Sequence, residues 1–147
     1  MQNPEPFDPL KVGRYTVIRL EVPYPNQPSA EKLFVALRHH KYKKDDCILC
    51  LKTTSKAAKY ENDPDALKGC VLYDEGQIPF FPTKTVIEVS NPHRILHDFI
   101  NERASNGKYR IEGKMPPDFH AKLVNAITHC DVYNENEKQL LLEAIGA

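Results

Sequence analysis

Residues 14–22, RYTVIRLEV, set Tyr15, Val17 and Leu20 against Arg14, Thr16, Arg19 and Glu21, with Ile18 out of phase. That near two-residue alternation predicts a half-buried strand. After the proline-studded stretch PYPNQPSAE, residues 32–39 (KLFVALRH) predict a second strand and residues 47–53 (CILCLKT) a third. The basic segment HHKYKKDD separates the two, so they read as a long hairpin. Residues 55–67 are polar and contain Asn62-Asp63-Pro64, which predicts a loop with a helical turn. A short strand is expected at 69–73, a turn at Asp74-Glu75-Gly76, and a fifth strand at 85–89. That strand should stop at Ser90-Asn91-Pro92, where Asn91 suits a helix cap and Pro92 the first helical position. Ile95, Leu96, Phe99 and Ile100 would then form the apolar stripe of the helix.

Beyond Gly107 the texture changes. GKYRIEG reads as a strand, and Pro116-Pro117 opens a helix that places Phe119, Leu123, Ala126, Ile127 and Cys130 on one face. Asn134 with Glu137 forms a capping-box-like pair, Leu140, Leu141, Ala144 and Ile145 supply the stripe of a last helix, and Gly146 ends it. Before Gly107, five short strands and one helix within about 90 residues, without βαβ alternation, predict an α+β protein, mainly β: a small antiparallel barrel or strongly bent sheet closed by a helix. The expected organisation is an extended lead-in at residues 1–12, a barrel with its closing helix at 13–106, and a C-terminal strand and helical hairpin at 107–147.

A length of 147 residues fits one domain whose core needs neither disulfide nor metal to fold. Lys+Arg and Asp+Glu balance at 20 each, so binding to nucleic acid must rest on a local patch. No apolar run approaches the roughly 20 residues that span a bilayer, and the start lacks the pattern of a signal peptide. A cytoplasmic protein with no membrane association is therefore expected. Cys47, Cys50, Cys70 and Cys130 read as reduced core thiols. Cys47 and Cys50 match CxxC, the spacing of a zinc knuckle or redox site, and Cys70, His39 and His40 offer further ligands. Strand positions three apart point to opposite faces, however, which favours core thiols and no metal.

Two stretches carry candidate chemistry. Arg38-His39-His40-Lys41-Tyr42-Lys43-Lys44 is the densest positive run, with a ring that can stack on an unpaired base; it also fits a solvated hairpin tip. Lys52-Thr53-Thr54-Ser55-Lys56 packs hydroxyls and ammonium groups where a buried strand becomes a loop. Those groups suit a phosphodiester and the charge that develops on its phosphorus, and equally suit local capping of backbone groups. There is no HExxH, Walker-type loop or GxSxG, and glycine is scarce at 6 residues.

The order EKLFVALRHH, CILCLKTTSK, GCVLYDEGQIPFFPTKTVIEVSNPHRI, over residues 12–100, resembles the MazF/PemK-type toxin family and its PemK-like relatives. The resemblance implies an SH3-like barrel and a toxin-antitoxin type, metal-independent endoribonuclease that cuts single-stranded RNA through the substrate's 2′-hydroxyl. It further implies a homodimer, an antitoxin protein as partner, and no cofactor. Carried over, Lys32 and Thr53 would be catalytic, Thr53 orienting the scissile phosphate and Lys32 supplying charge to it. Thr54, Ser55 and Lys56, with Arg38, Lys41, Tyr42, Lys43 and Lys44, would bind the RNA. The family's usual arginine is lysine at position 32, which loses a bidentate fork. The same barrel without catalysis, a module for RNA or a protein partner, is the alternative.

Overall fold

The structure, a computed structural model, describes residues 5–24 and 27–147; for residues 24 and 27–29 it describes the backbone alone. The described residues form β1 (Thr16–Tyr24), β2 (Gln27–Tyr42), β3 (Asp45–Thr54), α1 (Ala58–Glu61), α2 (Pro64–Lys68), β4 (Val71–Tyr73) and β5 (Thr85–Leu96). They continue with α3 (His97–Ser105), β6 (Tyr109–Lys114), α4 (Phe119–Thr128) and α5 (Glu135–Ala144). The class is α+β. The strands make one antiparallel sheet in the order β4-β5-β3-β2-β1-β6, and since that sheet is not closed it does not confirm the expected SH3-like barrel. Strands run through residues 23–24 and 27–31 of the expected proline-rich loop; residues 25 and 26, like 1–4 of the lead-in, lie outside the described residues.

The chain groups into two compact units, Met1–Cys50 with His93–Lys114, and Leu51–Pro92 with Met115–Ala147. In the first, β1 pairs with β2 so that Ile18 faces Phe34 and Leu20 faces Lys32, and its other edge pairs with β6. Val17 and Ile18 point to opposite faces and are both fully buried, so β1 is covered on both sides. That double coverage is why its alternation breaks at Ile18. Ile18, Leu20, Phe34, Ile48 and Tyr109 share a core with Ile100 and Ala104 of α3. Each such large side chain contributes about 1.5–3 kcal/mol by leaving water.

The helix expected to begin at Pro92 begins at His97 instead, and β5 runs on through Ser90-Asn91-Pro92 to Leu96. β4 pairs only with Thr85, Val86 and Ile87, leaving the rest of β5 an edge on that side. An edge is where a strand tolerates proline's missing donor, so pairing overrides the local capping signal. Ile95 and Leu96 therefore belong to the strand, and α3 retains Phe99 and Ile100 of the expected stripe.

In the second unit, α4 buries Phe119, Leu123, Ala126 and Ile127. Its N-cap is Asp118, two residues into the turn that follows Pro116. The capping box of α5 is formed: Asn134 Oδ1 accepts from Glu137 N at 2.8 Å, and Glu137 Oε1 from Asn134 N at 3.0 Å. Leu141, Ala144 and Ile145 are buried, whereas Leu140, expected on the same stripe, is exposed. The Tyr133 hydroxyl donates to Val89 O at 2.6 Å, meeting one carbonyl of β5. At Gly69 an added Cβ would lie 2.9 Å from Cys130 Sγ and 3.1 Å from its Cα, so a side chain there would force Cys130 to shift.

Cys47, Cys50 and Cys130 are buried and Cys70 is half-buried, all as free thiols. Burial holds the Cys50 thiol far above the ordinary range and pushes that of Cys70 up to about 11. Among the described residues no three His, Cys, Asp or Glu side chains are grouped to hold a metal ion, and no helix is long and apolar enough to cross a membrane.

Candidate nucleic-acid interface

The basic segment HHKYKKDD, expected to separate the two strands, is almost all strand. β2 runs to Tyr42, β3 starts at Asp45, and only Lys43 and Lys44 turn the chain. Their φ values are 50° and 74°. Two successive left-handed residues are what a two-residue primed hairpin turn requires, a role usually filled by Asn-Gly. Lysine there costs about 1 kcal/mol per residue in Cβ strain. The consequence is two exposed ammonium groups at a sharp apex.

Behind the apex, the last part of β5 contributes Arg94. Its guanidinium carbon lies 3.7 Å from the centroid of the Tyr42 ring, and Lys43 Nζ lies 5.3 Å from the same centroid. Tyr42 is nevertheless 41% exposed. Arg94 Nε donates to His40 Nε2 at 3.0 Å. An arginine has no acceptor, so His40 must be the neutral tautomer protonated on Nδ1. Its Nδ1 is buried and unpaired among the described residues. Partial burial, with Arg94, Arg38 and His39 nearby, lowers the pKa of His40 below 6.5 and keeps it in that accepting state. Lys41 reaches Asp46 at 3.8 Å, a loose and exposed pair that leaves the ammonium available to solvent.

His39 anchors the other side. Its Nε2 lies 2.6 Å from Val12 O and its Nδ1 2.9 Å from His97 Nε2. The Val12 carbonyl can only accept, so His39 Nε2–H donates to it, and the two rings share one further hydrogen bond through His39 Nδ1 and His97 Nε2. His97 packs edge-on against Phe7 as well as His39. Burial and the neighbouring His39 lower its pKa.

The residues named from sequence fall into three places. Arg38, Lys41, Tyr42, Lys43 and Lys44 are exposed at one end of the hairpin, joined by His40 and Arg94. Lys32 is half-buried on β2 opposite Leu20, in the first unit. Thr53 to Lys56 belong to the second unit, at the end of β3. There Thr53 is only 6% exposed, Thr54 accepts from Lys56 N at 3.1 Å, and Ser55 and Lys56 are exposed. Lys52 sits 4.0 Å from Glu88.

Sequence reasoning missed Arg94, because Asn91-Pro92 reads as a helix start and Arg94 meets His40 across 54 positions of chain. Two arginines elsewhere are already balanced: Glu112 takes Arg19 Nε and Arg110 Nε, each at 2.6 Å, beside a cavity of about 160 Å³ also lined by Glu31 and Lys108. That pairing holds the Glu112 carboxyl below the usual carboxylate range despite partial burial. Compared with known proteins, the chain matches no family model, no curated protein and no solved structure.

Proposed function

We propose that this protein binds single-stranded RNA through the β2–β3 apex, as a non-catalytic module. The observation that carries the reading is Arg94 stacked on the exposed ring of Tyr42 among Lys41, Lys43 and Lys44. Single strands are held by two things together, positive charge along the backbone and π-faces for unpaired bases, and this end of the hairpin offers both. With a net charge of zero, attraction to a polyanion at neutral pH must come from a local patch such as this one.

The test is fluorescence anisotropy with a labelled single-stranded RNA across a salt series. Log affinity should fall with log salt by about 0.7 for each phosphate contact. Neutralising Lys41, Lys43 and Lys44 should weaken binding and flatten that slope, while Thr53→Ala leaves both unchanged. Equal loss from both changes would sink the reading.

Cleavage of RNA, the activity that the MazF/PemK resemblance implies, is a second reading. On its side stands the run of Thr54, Ser55 and Lys56 at the exit of β3, where two of the three are exposed. Against it stands Thr53, whose 6% exposure leaves a polymer little access to its hydroxyl. Incubating long single-stranded RNA with the folded protein in EDTA decides it: new cyclic-phosphate ends that vanish in a Lys32→Ala, Thr53→Ala variant would restore cleavage.

A further inference from the structure

We propose that Arg94 reads guanine in the bound strand, its guanidinium held edge-outward by Tyr42 on one face and His40 at Nε. This deepens the RNA-binding reading above and rests on it.

A free arginine side chain is long and rotates about every bond, so it is a poor reader of a flat hydrogen-bonding edge unless its plane is set. Here two contacts set it. The Tyr42 ring lies against the guanidinium, 3.7 Å from its central carbon, and His40 accepts the Nε–H at 3.0 Å. Among the described residues no carboxylate pairs with Arg94, and its Nη1 and Nη2 groups carry no hydrogen bond. Arg19 and Arg110, by contrast, are both spent on Glu112. The residue itself is exposed.

What remains of Arg94 is a pair of parallel N–H donors in a known plane. Guanine presents two acceptors side by side, O6 and N7, and arginine to that edge is the commonest specific contact in base recognition; cytosine's N3 and O2 are the other such pair in an unpaired strand, so the C oligomer is the decisive competitor. Adenine offers a donor in place of O6, and the pyrimidines have no N7. Phosphate oxygens also fit a fork, but Lys41, Lys43 and Lys44 already supply point charges to the backbone beside it. A guanidinium held against an aromatic ring suits a planar base.

The experiment uses the full chain and labelled 12-mer oligouridylates in which the central three positions are G, A, C or U. Wild type should prefer the G oligomer by about tenfold, within the range expected for one bidentate pair. Replacing the guanosines by 7-deazaguanosine, which lacks the N7 acceptor, should remove most of that preference. Arg94→Lys keeps the charge and the salt slope but should bind the oligomers within about twofold of one another. His40 acts through Arg94 as a positioning residue, so His40→Leu should lose the preference while His40→Gln, which can still accept from Nε, retains it. Circular dichroism confirms that each variant is folded. Tight, salt-dependent binding with no base preference, or a preference that survives Arg94→Lys, overturns the guanine assignment and leaves RNA binding intact. No binding to any oligomer overturns the RNA reading, and this inference with it.

Discussion

Arg94 Nε and His40 Nε2 are 3.0 Å apart, a contact in which a cation requires its neighbour to stay uncharged. His40 faces Arg38 and His39 on its own strand and Arg94 on β5; His97 faces His39, with Asp46 and Asp98 acting in the opposite sense. In both rings burial is the largest cause, and the pKa is lowered from 6.5.

A pH dependence of stability follows. Below 6.5 the unfolded chain binds protons that the folded chain refuses, so stability rises with pH through the window beneath 6.5 and levels off above it. Urea midpoints measured from about pH 5 to about pH 7.5 should climb and then plateau near neutrality. His40→Gln, which has no proton to gain, should flatten part of the climb. A midpoint that falls between about pH 5 and about pH 6.5 would contradict the neutral assignment of both rings.

Much of the fold was legible because it rests on local signals. The α5 capping box, the buried face Phe119, Leu123, Ala126 and Ile127, and the strands around Ile18 and Ile48 all follow from periodicity within a dozen residues. The failures lie where partners distant in sequence decide. Asn91-Pro92 carries every local mark of a helix start, yet pairing within the sheet keeps β5 extended to Leu96. Lys43 and Lys44 lack the residue types of a tight turn, so the apex looked like a loop. Sheet closure is also a long-range property, and alternation along single strands is the same in an open sheet as in a barrel. The basic half of the candidate site was visible as a run of charge; its arginine was not.

The capping box gives a stability prediction independent of the site. Asn134 and Glu137 each satisfy one donor of the α5 N-terminus, through bonds of 2.8 and 3.0 Å. Asn134→Ala should cost about 1 kcal/mol, read from the denaturant midpoint, with the slope of the transition unchanged. RNA affinity should be unaffected, since Asn134 belongs to the second unit and the apex to the first.

Thiol accessibility should be sharply graded. Cys47, Cys50 and Cys130 are buried, and Cys70 is half-buried with its thiol pushed up to about 11 by burial. The thiolate is the reactive form, so an aromatic disulfide reagent at about pH 8 should label native protein slowly and chiefly at Cys70. Denaturant should release all four thiols at once. Rapid native labelling at Cys47 or Cys50 would mean that the centre of β3 opens far more readily than its burial allows.

The hairpin apex sets stability against binding. Lys43 and Lys44 hold φ of 50° and 74°, a conformation better suited to Asn-Gly, and both are exposed, with the Lys43 ammonium beside Tyr42. Replacing them together, Lys43→Asn with Lys44→Gly, removes the left-handed strain at both and their mutual repulsion, less the greater entropy that glycine loses on folding, and should stabilise the protein by about 1 kcal/mol. The same change removes two phosphate contacts, so the salt slope for single-stranded RNA should fall by about 1.4. Stability rising as affinity falls would mark the strain as a cost tolerated for recognition. If stability rises and RNA affinity holds, the two lysines are solvation at a turn, and the binding face lies elsewhere on the chain.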